Sequence, residues 1–393
     1  MKYDFDTRVD RRNCGNLKAL QFTPAHILER GFVSYAGAEF EFKTAQPVID
    51  AVKKAAENGL FGFTIADEKY LSHVVWWLEQ VRRTAVDPAW ILPVQGTIFS
   101  AATAIRLLTE PGGGVVIPTP GYNRYQQAAE RLGRRAVFSP MRETAAGPEL
   151  DLGDLAEKLA KNRLLILCNP NNPTGRILGR ETLEQVLEIA RQRGAAVLCD
   201  EIFADVVYGT EPVPLLTALA GAEDQAMSVI SMGKTFSFTG VNHANAIIRN
   251  PALRARFEAQ RNADHFGSID PMAYAALCGG YSPEGKEWLG ELIEVVRRNN
   301  ETFCRFFQAH MPSVRVSMPE AGYLLWMDFS GLGLSEAELF RFLTEDACFC
   351  CDPGKEYYGR PCMVRVCTAV PPKELERSLD CLLEAARRRG LAR

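Results

Sequence analysis

Between about residues 90 and 250 the chain alternates short apolar, β-branched runs with stretches whose apolar positions recur at helical spacing. The apolar runs predict strands at Gly114–Pro118, Arg135–Ser139, Leu164–Cys168, Ala195–Cys199, Met227–Ser231 and Ala244–Ile248. Several are apolar throughout, the pattern of strands covered on both faces. The stretches between them predict helices over Ile98–Leu108, Tyr122–Leu132 and Arg180–Arg193. This alternation implies an α/β domain with a mainly parallel sheet, in which ligands sit at the carboxyl ends of the strands. Beyond Pro283 the texture changes. Glu284–His310 reads as one long helix, VRVSMPEAGYLLWMDF and CMVRVCTA as strands, and a closing helix starts near Lys373. The expected organisation is a large α/β domain over 46–283 and a smaller α+β domain over 284–393. The N-terminal segment, 1–45, lacks a full βα unit and is expected to pack with the smaller domain.

Composition narrows the class of protein. Apolar residues make up 47% and charged residues 24% of 393 positions, near the globular average, which excludes a disordered or fibrous chain. A net charge of −3 offers no basic surface for nucleic acid or anionic lipid. No apolar run reaches the roughly 18 residues that span a bilayer, and the charged start, MKYDFDTRVDRRNCGN, is unlike a secretory signal. Eleven cysteines without a repeating spacing fit reduced thiols and a cytoplasmic setting. Cys348, Cys350 and Cys351, followed by Cys362 and Cys367, lack a companion histidine at ligand spacing, so they read as structural and no metal is expected. The five histidines, His26, His73, His243, His265 and His310, show no ligand spacing either.

Candidate chemistry gathers at strand ends. The turn Asn169-Pro170-Asn171-Asn172-Pro173-Thr174-Gly175 follows one strand, Asp200-Glu201 ends the next, and Ser231-Met232-Gly233-Lys234 ends a third. Taken singly, each has an ordinary structural reading as a turn, a helix cap or a solvated lysine. Taken together, and with Arg365 in MVRVCTA, they resemble the pyridoxal-phosphate enzymes of fold type I, the class I/II aminotransferase superfamily, along nearly the whole chain.

The resemblance implies roles. Lys234 forms the Schiff base with pyridoxal 5'-phosphate and later removes the substrate Cα proton as general base. Asp200 pairs with the pyridine nitrogen and raises its pKa. Asn172 donates to the phenolic oxygen and reaches the substrate carboxylate, which Arg365 clamps through paired hydrogen bonds. Gly96, Thr97 and Ile98, ahead of the helix IFSAATAIRLL, cradle the phosphate at a helix N-terminus, with Ser231 adding a contact. Tyr122 of Thr119-Pro120-Gly121-Tyr122 stacks on the ring.

Within the superfamily, Asp4-Phe5-Asp6, Gly59-Leu60-Phe61-Gly62-Phe63 and Gly322-Tyr323-Leu324-Leu325-Trp326 are similar to the cystathionine β-lyase type of C–S lyase. So is Asn242, where classical aminotransferases place a phosphate-binding arginine. The implied reaction is α,β-elimination of an S-substituted L-cysteine to pyruvate, ammonia and a thiol. The alternative is an aminotransferase that passes the amino group to a 2-oxo acid. A small-molecule amino acid is the expected substrate, and a homodimer with shared active sites the expected assembly. Three features depart from the subgroup: Phe63 and Phe203 each stand where a polar aromatic side chain is usual near the cofactor, and Glu39-Phe40-Glu41-Phe42 replaces an Asp-Met-Asp-Phe stretch.

Overall fold

The computed structural model describes residues 1–144, 147–264 and 266–393, so His265 lies outside the described residues. The chain forms two compact units. One comprises Thr44–Asn172 with Arg176–Leu289; the other comprises Met1–Lys43, Pro173–Gly175 and Gly290–Arg393.

The larger unit is built on seven strands: β1 (Ile91–Val94), β2 (Gly114–Thr119), β3 (Arg135–Pro140), β4 (Leu164–Cys168), β5 (Ala196–Asp200), β6 (Ala226–Ile230) and β7 (Ala244–Ile247). Their order across the sheet is β1-β7-β6-β5-β4-β2-β3. Only β7 runs against its neighbours, antiparallel to both β1 and β6. The other six strands are therefore parallel to one another, and their carboxyl ends lie on one edge. The predicted strands are present with ends shifted by a residue or so. β1, whose ILPV run is short and holds a proline, carried too weak a pattern to be read.

Alternation explains why these strands look apolar throughout. Val115, Ile117, Leu164, Ile166, Leu198, Met227 and Val229 join a core on one face with the helices Thr97–Leu108 and Arg124–Arg131. Val116, Leu165, Leu167, Val197 and Cys199 join a core on the other face with the helices Leu152–Leu159 and Arg180–Arg193. Both faces of a period-2 strand are buried, so no polar side is left to show in the sequence. Helices at Gln46–Glu57, Glu68–Gln80, Pro251–Ala263 and Pro271–Gly280 complete the unit. The helix predicted from Tyr122 starts two residues later, at Arg124, because Tyr122 still belongs to the turn after β2.

The smaller unit holds a four-stranded antiparallel sheet of β8 (Arg315–Val316), β9 (Leu324–Asp328), β10 (Asp352–Pro353) and β11 (Met363–Cys367), in the order β8-β9-β11-β10. Its core gathers Phe303, Phe307, Leu325, Met327, Val364, Val366, Leu379 and Leu382. Cys348, Cys350, Cys351, Cys362 and Cys367 are all buried there, as small apolar side chains. The long helix Pro283–His310 and the closing helix Pro372–Arg388 match their expected spans.

Candidate active site

Parallel register brings the sequence motifs to a common level. Cys168 pairs with Asp200, and Asp200 with Val229, so the chain leaves β4, β5 and β6 side by side into Asn169, Glu201 and Ser231. On the far side of β7, Val94 aligns with Ala244, which places Gln95 and Gly96 at the same edge. The Gly96 turn, Asn172, Asp200 and Lys234 thus arise at one edge of the sheet although they are far apart in sequence.

At the end of β5 two adjacent carboxylates take opposite directions. Asp200 continues the face of Ala196 and Leu198; its Oδ2 accepts the Tyr125 hydroxyl and its Oδ1 the Ile202 amide at 3.1 Å. Burial pushes the Asp200 carboxyl up to about 6, against Tyr125, Ile202 and the Lys234 charge, which pull it down. Glu201 faces the other way, into the layer where its Oε2 meets Arg82 Nη2 at 2.6 Å. Its Oε1 accepts from Ser228 Oγ at 2.7 Å and Leu216 N at 3.0 Å. The two neighbouring carboxylates thus serve opposite faces of the sheet, Asp200 the layer of Tyr125 and Glu201 the layer of Arg82.

Lys234 sits on the short helix Met232–Thr235, half-buried, with its ammonium 5.8 Å from the centre of the Phe203 ring. Two devices fix that turn. Ser231 caps it, accepting from Gly233 N at 3.0 Å and donating to the His243 carbonyl at 2.7 Å. Thr235 donates to Asp205 Oδ2 at 2.8 Å, an oxygen that also accepts from Trp77 Nε1 at 2.9 Å. The Ser231 proton is thus directed at a backbone carbonyl. Asp205 in turn lies 3.9 Å from the Arg82 guanidinium, which is 1% exposed on its side chain and flanked by the buried Glu201 and the largely buried Asp205. Burial raises both carboxyls above the ordinary range and Arg82 draws both back.

Gly96 precedes the helix Thr97–Leu108 with φ +102°, a backbone region that side chains rarely adopt, and its flank is open. The amides of Thr97 and Ile98 begin that helix and have no intrahelical acceptor, as at any helix start. Tyr122 lies edge-on to Tyr125, ring centres 5.6 Å apart. Asn169 is fully buried and brackets Leu178, accepting its amide at 2.8 Å and donating to its carbonyl at 3.1 Å. That pair holds open the turn that carries Asn172, itself 6% exposed. Phe63, by contrast, is 98% exposed, in an apolar run with Leu60, Phe61 and Ile65.

In the smaller unit Arg365 lies on β11, 4% exposed, with Nε 3.0 Å and Nη2 2.6 Å from Asp352 Oδ2. The guanidinium carbon stands 4.3 Å from the centre of the Tyr357 ring. Burial opposes its charge, yet Asp352 and Tyr357 hold it protonated beyond the usual guanidinium range.

Sequence reasoning missed Tyr125, Arg82 and Asp205. Tyr125 had a usable signal, since it stands one helical step beyond Tyr122 on the buried side. Arg82 had none: it stands beside Arg83, which is exposed, and nothing local separates the two. Among the described residues no group of three or more His, Cys, Asp or Glu side chains is placed to hold a metal ion.

The residues present fit a pyridoxal phosphate. A buried carboxylate with acceptor positions to spare suits a protonated ring nitrogen, a half-buried lysine suits the aldehyde, and an open glycine turn ahead of a helix suits a phosphate. Known proteins agree. The family model for aminotransferase class I and II matches residues 36–382. Cystathionine beta-lyase PatB of Bacillus subtilis is 31% identical over 323 residues, covering 81% of this chain and 83% of that protein. Protein MalY of Escherichia coli is 28% identical over 396 residues, covering 98% and 99%. The crystal structure of cystalysin from Treponema denticola, which contains a pyridoxal 5'-phosphate cofactor, superposes with a TM-score of 0.90 at 26% identity, over 99% of this chain and all of that one. A match of this extent, on a sheet whose strand ends carry the motifs in order, means that the chain belongs to the aminotransferase class I and II family of fold type I.

Proposed function

We propose that the protein is a pyridoxal-phosphate-dependent C–S lyase, acting by α,β-elimination on S-substituted L-cysteines to release pyruvate, ammonia and a thiol. The observation that carries this reading is the pairing of Asp200 and Lys234 at neighbouring strand ends, in a chain similar along most of its length to a cystathionine beta-lyase. Bound pyridoxal phosphate supplies an electron sink that acidifies the substrate Cα–H and favours loss of the β-thiolate.

The chain's own residues do the rest. Lys234 would hold the cofactor through its amine, and as a free amine it would take the proton from Cα. The apolar Phe203 ring beside Nζ leaves Asn172 the main donor for the cofactor's phenolic oxygen. Asp200 would keep a ring nitrogen protonated by charge pairing. Gly96, Thr97 and Ile98 would present backbone amides to the phosphate, Ser231 holds the lysine turn, and Tyr122 would lie against the ring. Arg365, oriented by Asp352 and Tyr357, clamps the substrate carboxylate.

The test is a product assay on protein loaded with pyridoxal phosphate, using L-cystathionine with and without 2-oxoglutarate. Pyruvate, ammonia and free thiol are expected without the oxo acid. Glutamate formed only when the oxo acid is present would replace the lyase reading with an aminotransferase.

A homodimer is proposed as well, supported by the exposed run Leu60, Phe61, Phe63 and Ile65, which a lone chain leaves facing water. Sedimentation of the loaded protein is expected to show twice the chain mass. A species of single-chain mass that retains full activity would rule the dimer out as a requirement.

A further inference from the structure

Asp200 and Tyr125 meet in the core between the sheet and the helix Arg124–Arg131. The tyrosine is 2% and the aspartate 3% exposed, and the phenol donates to Oδ2. A carboxylate offers about four acceptor positions. Tyr125 and Ile202 use one on each oxygen, which leaves room for a further donor. The other titratable groups that bear on this carboxylate are Lys234 after β6, Glu201 just past the end of β5, and the thiols of Cys168 and Cys199 on β4 and β5. Burial raises the Tyr125 phenol and both thiols well above their ordinary values, so all three stay protonated at neutral pH.

Burial alone favours a neutral Asp200, and a neutral carboxylic acid cannot pair with a protonated ring nitrogen. A hydrogen bond donated to the ionised form works in the opposite direction. We propose that Tyr125 is the positioning residue of the ring-nitrogen site: its hydroxyl fixes Oδ2 and keeps Asp200 ionised, so that the carboxylate is ready for a cationic partner. The inference deepens the reading of Asp200 given under the proposed function and rests on it. Tyr125 itself touches the carboxylate and is assigned no contact with substrate.

The experiment is a pH titration of the Asp200 carboxyl in the full-length, cofactor-free chain, followed by carbon-13 NMR of labelled aspartate and assigned with Asp200→Asn. In Tyr125→Phe the midpoint is expected to rise by about one pH unit, a tenfold gain in proton affinity, the size of one hydrogen bond to a charged group. Replacing Tyr125 with 3-fluorotyrosine, a more acidic phenol that keeps the ring, is expected to lower the midpoint. Opposite shifts in the two proteins would not follow from a packing role. An unchanged midpoint in both overturns the proposal, and the fluorinated protein alone decides it if Tyr125→Phe does not fold.

A second readout separates this proposal from the reading beneath it. In holoenzyme loaded with nitrogen-15-labelled pyridoxal phosphate, the ring-nitrogen shift is expected to report a protonated ring in the wild type and an altered midpoint in Tyr125→Phe. A carboxyl midpoint that moves while the wild-type ring nitrogen is unprotonated upholds Tyr125 as the tuner of Asp200. That same result removes Asp200 as the ring's partner.

Discussion

Lys234→Ala is expected to lower turnover of an S-substituted cysteine at least about ten-thousand-fold, the upper range for loss of a positioned proton-transfer group. The loss of covalent attachment adds to it. The variant should fold, because the side chain is only half-buried and the turn that carries it is held by Ser231, Thr235 and Asp205 rather than by the lysine. Borohydride reduction followed by peptide mass spectrometry gives an independent reading. Wild-type holoenzyme should carry the reduced cofactor on Lys234, and the variant should carry none. A variant with wild-type elimination rate, or a label found on another lysine, would remove Lys234 from the centre of the mechanism.

The second large effect is expected at Arg82, a residue that touches no proposed ligand. Arg82→Leu leaves the buried Glu201 and the largely buried Asp205 without their cation, and breaking a buried pair such as Arg82–Glu201 costs about 3–5 kcal/mol. The loss should appear as a lower urea midpoint. It should also weaken cofactor retention, since Asp205 anchors Thr235, the residue after Lys234. Glu201→Gln should cost less than Arg82→Leu, because an amide still accepts from Ser228 and leaves no unpaired charge on the carboxylate side. A midpoint shift equivalent to less than 1 kcal/mol for Arg82→Leu, against the cost cited above, would show that water or rearrangement replaces the guanidinium.

These two residues also mark how differently parts of the site are written in the chain. Lys234 belongs to a local word, Ser231-Met232-Gly233-Lys234 after an apolar run, and the same holds for the Asn169–Gly175 turn and for Asp200. Such words are legible because the chemistry of a strand-end turn is set by a few consecutive residues. At Gly175 the constraint is visible even singly: with φ +68°, a Cβ there would come 2.4 Å from that of Pro319. Arg82 is the contrary case, since its partners Glu201 and Val213 lie in the segment after β5, more than a hundred positions away.

What the sequence determined by itself was the alternation of buried strands and amphipathic helices, the parallel character that follows, and the order of motifs at the strand ends. Each of these depends on periodicity or on a few neighbouring residues, and a one-dimensional pattern records both. The tertiary structure decided which of two adjacent carboxylates faces which way. Strand alternation sends Asp200 to the layer of Tyr125 and Glu201 to the layer of Arg82, but the side on which a strand's even residues lie depends on the helices that cover it. It also decided that Ser231 gives its proton to the backbone, that Tyr125 reaches Asp200, and that an arginine just past a helix is buried while its neighbour is exposed. Those outcomes rest on contacts between segments distant in the chain, whose energies belong to pairs of residues and leave no mark on either one alone.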